Sequence, residues 1–241
     1  GMVFLCGCER NASTNRLRLV NALPLPALLV LSEPEAGETV VSARLEGGQA
    51  TDYHDISRGR YTLVCRTDGR DIVKQDLILG TGSWYTAVVA GLPETQGTTP
   101  AAAPLARALR FFEGEEAVAV NRFIPQWQVL RDNIRGARES AYLKFVNLAA
   151  GLEPFAISSA EETIVDGLAY PSASELTQIE AGNKQLTLDQ QGRQLAELTV
   201  NLRAGWLYTG LILGSVRPAR PPRFVMLSNP SRSAEKRSAL N

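Results

Sequence analysis

The chain of 241 residues is 44% apolar and carries 25 basic against 25 acidic side chains. That apolar share supplies real cores for one large or two ordinary domains, and the even charge balance gives no electrostatic reason to expect nucleic acid or a charged membrane surface as partner. One histidine, His54, and three cysteines in no disulfide or zinc spacing leave little for histidine-based catalysis or a metal centre.

Residues 1–14 read as a leader. Leu5-Cys6-Gly7-Cys8 has the pattern of a bacterial lipobox, with Cys8 as the lipidation candidate. The apolar stretch before it is too short for a complete signal peptide, so lipidation requires an upstream basic and apolar segment. No other segment approaches the roughly 20 apolar residues of a spanning helix. A membrane is therefore expected only through such a lipid anchor.

Residues 15–115 read as a first β-sandwich. "RLRLVNA" alternates, with Leu17 and Leu19 inward and Arg16 and Arg18 outward. In "YHD" (53–55) His54 and Asp55 adjoin, but strand neighbours point to opposite faces, which argues against a catalytic pair. "RYTLVCRT" places Tyr61, Leu63 and Cys65 on one face, and Cys65 reads as a small buried apolar residue. Turn signals "SRGR", "TDGRD" and "GTGS" separate the runs. "LPETQGTTPAAAP" is a loop by composition, and "LARALRFFEG" is a candidate last strand of this sandwich.

Residues 116–138 read as a connector in which Trp127 locks the two halves together. Residues 139–230 repeat the first pattern, with Leu143/Phe145, Leu186/Leu188 and Val200/Leu202 inward and "PPRFVMLSNP" as the last strand. Residues 231–241 have nothing to bury and read as a mobile tail. The carboxylate clusters "EGEE" and "AEET" lie in expected turns and read as solvated charge. Trp84 and Trp206 stand one residue out of register, so they are expected on opposite faces of their strands.

The repeat is explicit. "LGTGSWYTAVVAG" (79–91) is answered by "LRAGWLYTGLILG" (202–214) at an offset of 123 residues. "RLRLVNA" is answered by "YLKFVNLA" at an offset of 126. A period this long means tandem domains and not a solenoid. Strands separated by glycine-rich turns predict an all-β chain of two tandem antiparallel immunoglobulin-like (Greek-key) sandwiches. In the repeated phrase Gly82 and Gly205 are expected in a turn between sheets. Tyr85 and Tyr208 are expected to bond their hydroxyls back to that corner.

"LRLVNA…ISRGRYTLVCRTDGR…LILGTGSWYTAVVAG" resembles a family of secreted bacterial β-sandwich modules of uncharacterised function. It is also similar to the alginate O-acetylation accessory protein family. The resemblance covers most of residues 15–91 and 140–214, and its motifs are strands and turns. It implies a periplasmic two-sandwich protein working beside acetyl-transfer proteins, with no catalytic residue to carry over. The leading expectation is a non-enzymatic extracytoplasmic binding or scaffolding protein, an accessory factor in exopolysaccharide O-acetylation. Its partners are other periplasmic or envelope proteins or polysaccharide, and no cofactor is expected. The alternatives are a cell-surface adhesion module and an acyl-transfer or hydrolytic enzyme with a site between the domains.

Overall fold

The computed structural model describes residues 15–92, 123–132, 139–160, 162–215 and 220–230. The first half holds β1 (Asn15–Asn21), β2 (Ala27–Ser32), β3 (Thr39–Leu45), β4 (His54–Ile56), β5 (Gly59–Thr67), β6 (Arg70–Leu79), β7 (Trp84–Ala90) and β8 (Gln126–Arg131). They form two sheets, in the orders β3-β2-β5-β6 and β4-β1-β7-β8. The second half holds β9 (Ser140–Asn147), β10 (Phe155–Ser159), β11 (Glu162–Leu168), β12 (Ser172–Ala173), β13 (Thr177–Glu180), β14 (Gly182–Gln190), β15 (Arg193–Leu202), β16 (Trp206–Ser215) and β17 (Arg220–Pro230). Its sheets run β11-β10-β14-β15 and β12-β9-β16-β17, with β13 also paired to β9.

The duplication read from sequence is present in the registers. Leu17 faces Tyr85 across β1 and β7, and Leu143 faces Tyr208 across β9 and β16. Asn15 faces Ile56 in the first half, and Ala141 faces Ile179 in the second. Both β5–β6 and β14–β15 are hairpins turned by two positive-φ residues, Asp68-Gly69 and Gln191-Gly192, as right-twisting strands require of a two-residue turn. The repeated asparagine also has one task in both copies. Asn21 Nδ2 donates to the Leu45 carbonyl and Asn147 Nδ2 to the Leu168 carbonyl, while each Oδ1 accepts the N–H two residues on. A buried amide satisfied at both ends pins the end of the first strand to the facing sheet.

Two expectations need correction. The sheets are mostly antiparallel, but β1 pairs β7 in parallel and β9 pairs β16 in parallel. A parallel pair needs a crossover. Here the crossover is the entire outer sheet of each half, which lies between the two strands in sequence. The stretch 116–138 is not simply a connector, because β8 lies within it and pairs antiparallel with β7. Trp127 and Val129 alternate inward from β8, so Trp127 packs in the first core and does not lock the halves together. "LARALRFFEG" lies outside the described residues.

The closing glycine of the repeated phrase also has a physical reason. A Cβ on Gly91, at φ +136, would stand 2.6 Å from Pro125 Cα, and one on Gly214 would stand 3.0 Å from Pro222 Cα. In each half a proline at the start of the edge strand, Pro125 just before β8 and Pro222 within β17, approaches the backbone where a side chain would sit.

Three apolar clusters fill the structure. One lies inside each sandwich. The third joins Val20, Ala22, Val88 and Ala90 of the first half to Val146, Leu148, Leu211, Leu213 and Leu227 of the second. The sheets β4-β1-β7-β8 and β12-β9-β16-β17 thus pack face to face. Their central strands are covered on both sides, which explains the unbroken apolar runs "AVVA" and "LIL" where half-exposed strands would alternate.

Candidate functional site

At one end the face between the sandwiches turns polar. Along β1 the side chains pointing out of the first core run Arg16, Arg18, Val20, from rim to interior. Arg18, expected to point outward, does leave its own core, but the second sandwich covers it and only 5% of it is exposed. Its Nε donates to Thr86 Oγ1 at 2.7 Å. Thr86 donates to Asp132 Oδ2, and the Tyr53 hydroxyl donates to the same oxygen at 2.9 Å. From the second half, Lys144 Nζ lies 3.6 Å from Asp132 Oδ1 and donates to the Arg131 carbonyl at 3.1 Å. Asn229 Nδ2 reaches the Asp132 carbonyl at 3.3 Å. Asp132, at the end of β8, is 2% exposed and stands at the centre of this network.

Outside it runs a stack of rings and guanidinium groups. Arg16 Cζ sits 4.6 Å from the Trp84 centroid, Trp84 lies 5.0 Å from Tyr53, and Arg18 Cζ lies 4.7 Å from Tyr53. The stack is positive at both ends over aromatic faces, a favourable arrangement for partly desolvated arginines.

The electrostatics are unbalanced. Lys144 pairs with the one carboxylate, and Arg18 reaches it only through the Thr86 hydroxyl. Burial lowers the Lys144 pKa, with Arg18 adding to that effect and Asp132 opposing it. Burial, then the charge of Asp132, pushes the Tyr53 hydroxyl far above its ordinary value, although Arg18 pulls the other way. Tyr53 is thus held neutral as a donor. The arrangement holds charges and orients donors. Its ionisable groups face one another across packed sheets.

At the opposite end of the same face lies a cleft of about 290 Å³, bordered by Ala22, Leu148, Leu213, Arg220 and Arg223. Both arginines reach across to the first half, Arg220 to the Pro24 carbonyl at 2.7 Å and Arg223 to the Gly47 carbonyl at 2.9 Å. A larger open groove of about 660 Å³ runs along the second sandwich past Glu162, Thr163, Gln178, Glu180, Asn183 and Lys184.

The residues singled out in the sequence fall elsewhere. Cys8 and "EGEE" lie outside the described residues. Gly82 and Gly205 have φ of 65° and 77° in their turns. The Tyr208 hydroxyl accepts from Arg203 N–H at 2.8 Å and donates to the Asn201 carbonyl at 3.3 Å. Among the described residues Tyr85 has no such bond; its hydroxyl lies 3.8 Å from where a Cβ on Gly80 would stand. His54 and Asp55 diverge, and Asp55 pairs with Arg16 at 3.1 Å. Cys65 is buried, its thiol pushed up to about 12, first by burial and then by Asp71. Trp84 is buried beside Arg16, while Trp206 packs against the second core with Arg203 Cζ 5.5 Å from its ring.

Sequence reasoning missed Thr86, Asp132, Lys144 and Asn229 as site residues. A signal existed for some of them. "LRLVN" and "LKFVN" keep a cation at the same outward position, and the twice-written Tyr-Thr keeps a threonine beside it.

The chain matches no protein-family model and no curated relative. Among solved structures it aligns with candidate cell adhesion proteins of three Bacteroides species. The Bacteroides ovatus protein is 10% identical, with 92% of this chain and 99% of that one covered at a TM-score of 0.21. The Bacteroides eggerthii protein is 7% identical over 91% and 96%, at 0.20. The Bacteroides uniformis protein is 9% identical over 92% and 98%, at 0.21.

Proposed function

We propose that this protein is a non-enzymatic extracytoplasmic binding or scaffolding protein, an accessory factor in exopolysaccharide O-acetylation. The observation that supports it most is how the buried polar groups are used. Asp132, Thr86, Tyr53, Arg18 and Lys144 meet one another and the backbone between two packed sheets. Groups committed to holding two sandwiches together are not poised for acid–base or nucleophilic work, which needs a reacting atom within reach. The open groove past Gln178, Asn183 and Lys184 offers amide, ammonium and carboxylate groups suited to a hydroxyl-rich polymer.

The test combines two measurements. The purified chain is assayed on a panel of esterase and glycosidase substrates, and the acetyl content of exopolysaccharide is measured in the native host with and without the protein. No turnover together with a loss of acetyl groups on deletion supports the proposal. Turnover abolished by one point change establishes the enzyme reading instead. Unchanged acetylation with lost surface attachment establishes the adhesion reading. Extracytoplasmic placement rests on Leu5-Cys6-Gly7-Cys8 and is tested separately. Metabolic labelling with a fatty acid should tag the native protein, and Cys8→Ser should remove the label. A label that survives the change would dispose of the anchor.

A further inference from the structure

The strand registers fix which residues correspond between the halves. Arg18 faces Thr86, and Lys144 faces Thr209. Thr86 faces Leu130 on β8, and Thr209 faces Leu227 on β17. Two residues further along those strands stand Asp132 and Asn229. Arg18 therefore corresponds to Lys144, Thr86 to Thr209, and Asp132 to Asn229. The same counting makes Gln126 correspond to Arg223. Gly47 corresponds to Tyr170, because each lies two residues after the leucine whose carbonyl accepts the repeated asparagine.

The contacts across the face obey that correspondence. Asn229 meets Asp132, its own counterpart, as residues beside the rotation axis that relates the two halves do. Away from the axis, Arg223 meets Gly47, and on the mirrored side the ring of Phe123, three residues before Gln126, stands 5.3 Å from that of Tyr170. The apolar part likewise sets Val20 and Val88 with their counterparts Val146 and Leu211 in one cluster.

We infer that the outer face of β1, β7 and β8 is a homotypic docking surface whose partner is a second sandwich of the same build, so that this chain is an isologous dimer in one polypeptide with Asp132 and Asn229 at the pseudo-two-fold axis. The polar cluster is then one half of a symmetric pair. In the half that holds the carboxylate, Thr86 donates to Asp132 Oδ2 and Lys144 Nζ lies 3.6 Å from Asp132 Oδ1, which accepts no hydrogen bond among the described residues. In the mirrored half the corresponding atoms are buried without hydrogen-bond partners: Thr209 Oγ1, Asn229 Oδ1 and Arg18 Nη2. These are the groups that a carboxylate at position 229 would engage. The asymmetry of charge at the axis follows from one position, where one copy has Asp and the other Asn.

The inference is tested in the full chain by moving the carboxylate across the axis. Asp132→Asn should lower the urea midpoint, because Lys144 then loses its carboxylate and the Arg18–Thr86 pair its charged acceptor. The double variant Asp132→Asn/Asn229→Asp should recover most of that loss. In the double variant the cations should also exchange importance. Arg18→Met should lower the midpoint more than it does in the parent, and Lys144→Met less. If Asp132→Asn does not fold, the comparison of parent with double variant and the exchange of cation effects still decide. An unshifted midpoint for Asp132→Asn would overturn the inference. So would a double variant no more stable than the single one, or one in which Lys144→Met keeps its full effect.

Discussion

Removing the Tyr208 hydroxyl takes one donor–acceptor from a buried position. It leaves the Arg203 N–H and the Asn201 carbonyl without their partner. A net hydrogen bond is worth about 1 kcal/mol, and stranded partners add to the loss. Tyr208→Phe should therefore destabilise the fold by roughly 1 to 3 kcal/mol in urea unfolding. Tyr85→Phe removes no hydrogen bond among the described residues and should stay within about 0.5 kcal/mol of the parent. Equal losses at both tyrosines would contradict this reading. Cys65 gives a second residue-scale expectation. Its folded pKa of about 12 exceeds the ordinary 9.0, so the folded state keeps a proton that the unfolded chain releases. That contribution is fully present below the unfolded pKa and is lost as pH rises from about 9 toward about 12. Measured between about pH 8 and about pH 11, the parent's urea midpoint should fall more steeply than that of Cys65→Ala. Parallel slopes would count against it.

Along the strands, the two halves solve one packing problem with different pairs. Leu19 faces Ala87 in the first half, and Phe145 faces Gly210 in the second. A Cβ on Gly210 would stand 2.6 Å from the Phe145 ring. Gly210→Ala should cost about 1 to 3 kcal/mol by overpacking, despite the backbone entropy it removes. Adding Phe145→Leu recreates the first half's pair and should recover much of that cost in thermal unfolding. This level of the fold was largely readable from sequence. Period-two alternation located Leu17/Leu19, Tyr61/Leu63/Cys65 and Leu186/Leu188, and turn glycines located both hairpins. Strand β8 was missed because glutamines flank Trp127 and a proline precedes it, so its two inward residues looked like an irregular connector. The parallel pairs were missed because alternation reports which face a residue occupies and is silent on strand direction. The polar cluster was missed for a third reason. Arg18 reads as an outward charge until another sheet covers it, and no property of one strand announces that cover.

At the scale of the whole chain, the four sheets stack through three apolar clusters, and the middle one belongs to neither sandwich alone. That cluster and the Asp132 network couple the halves, so neither should unfold without exposing Val88, Val146 and Leu211 and stranding buried charge. The direct measurement is scanning calorimetry of the full chain. The account predicts one transition whose calorimetric and van't Hoff enthalpies agree, and a Val88→Asp variant, which puts an unpaired charge into the middle cluster, in which that transition separates into two. Two transitions already present in the parent, unchanged by Val88→Asp, would show that the sandwiches are independent and would contradict it.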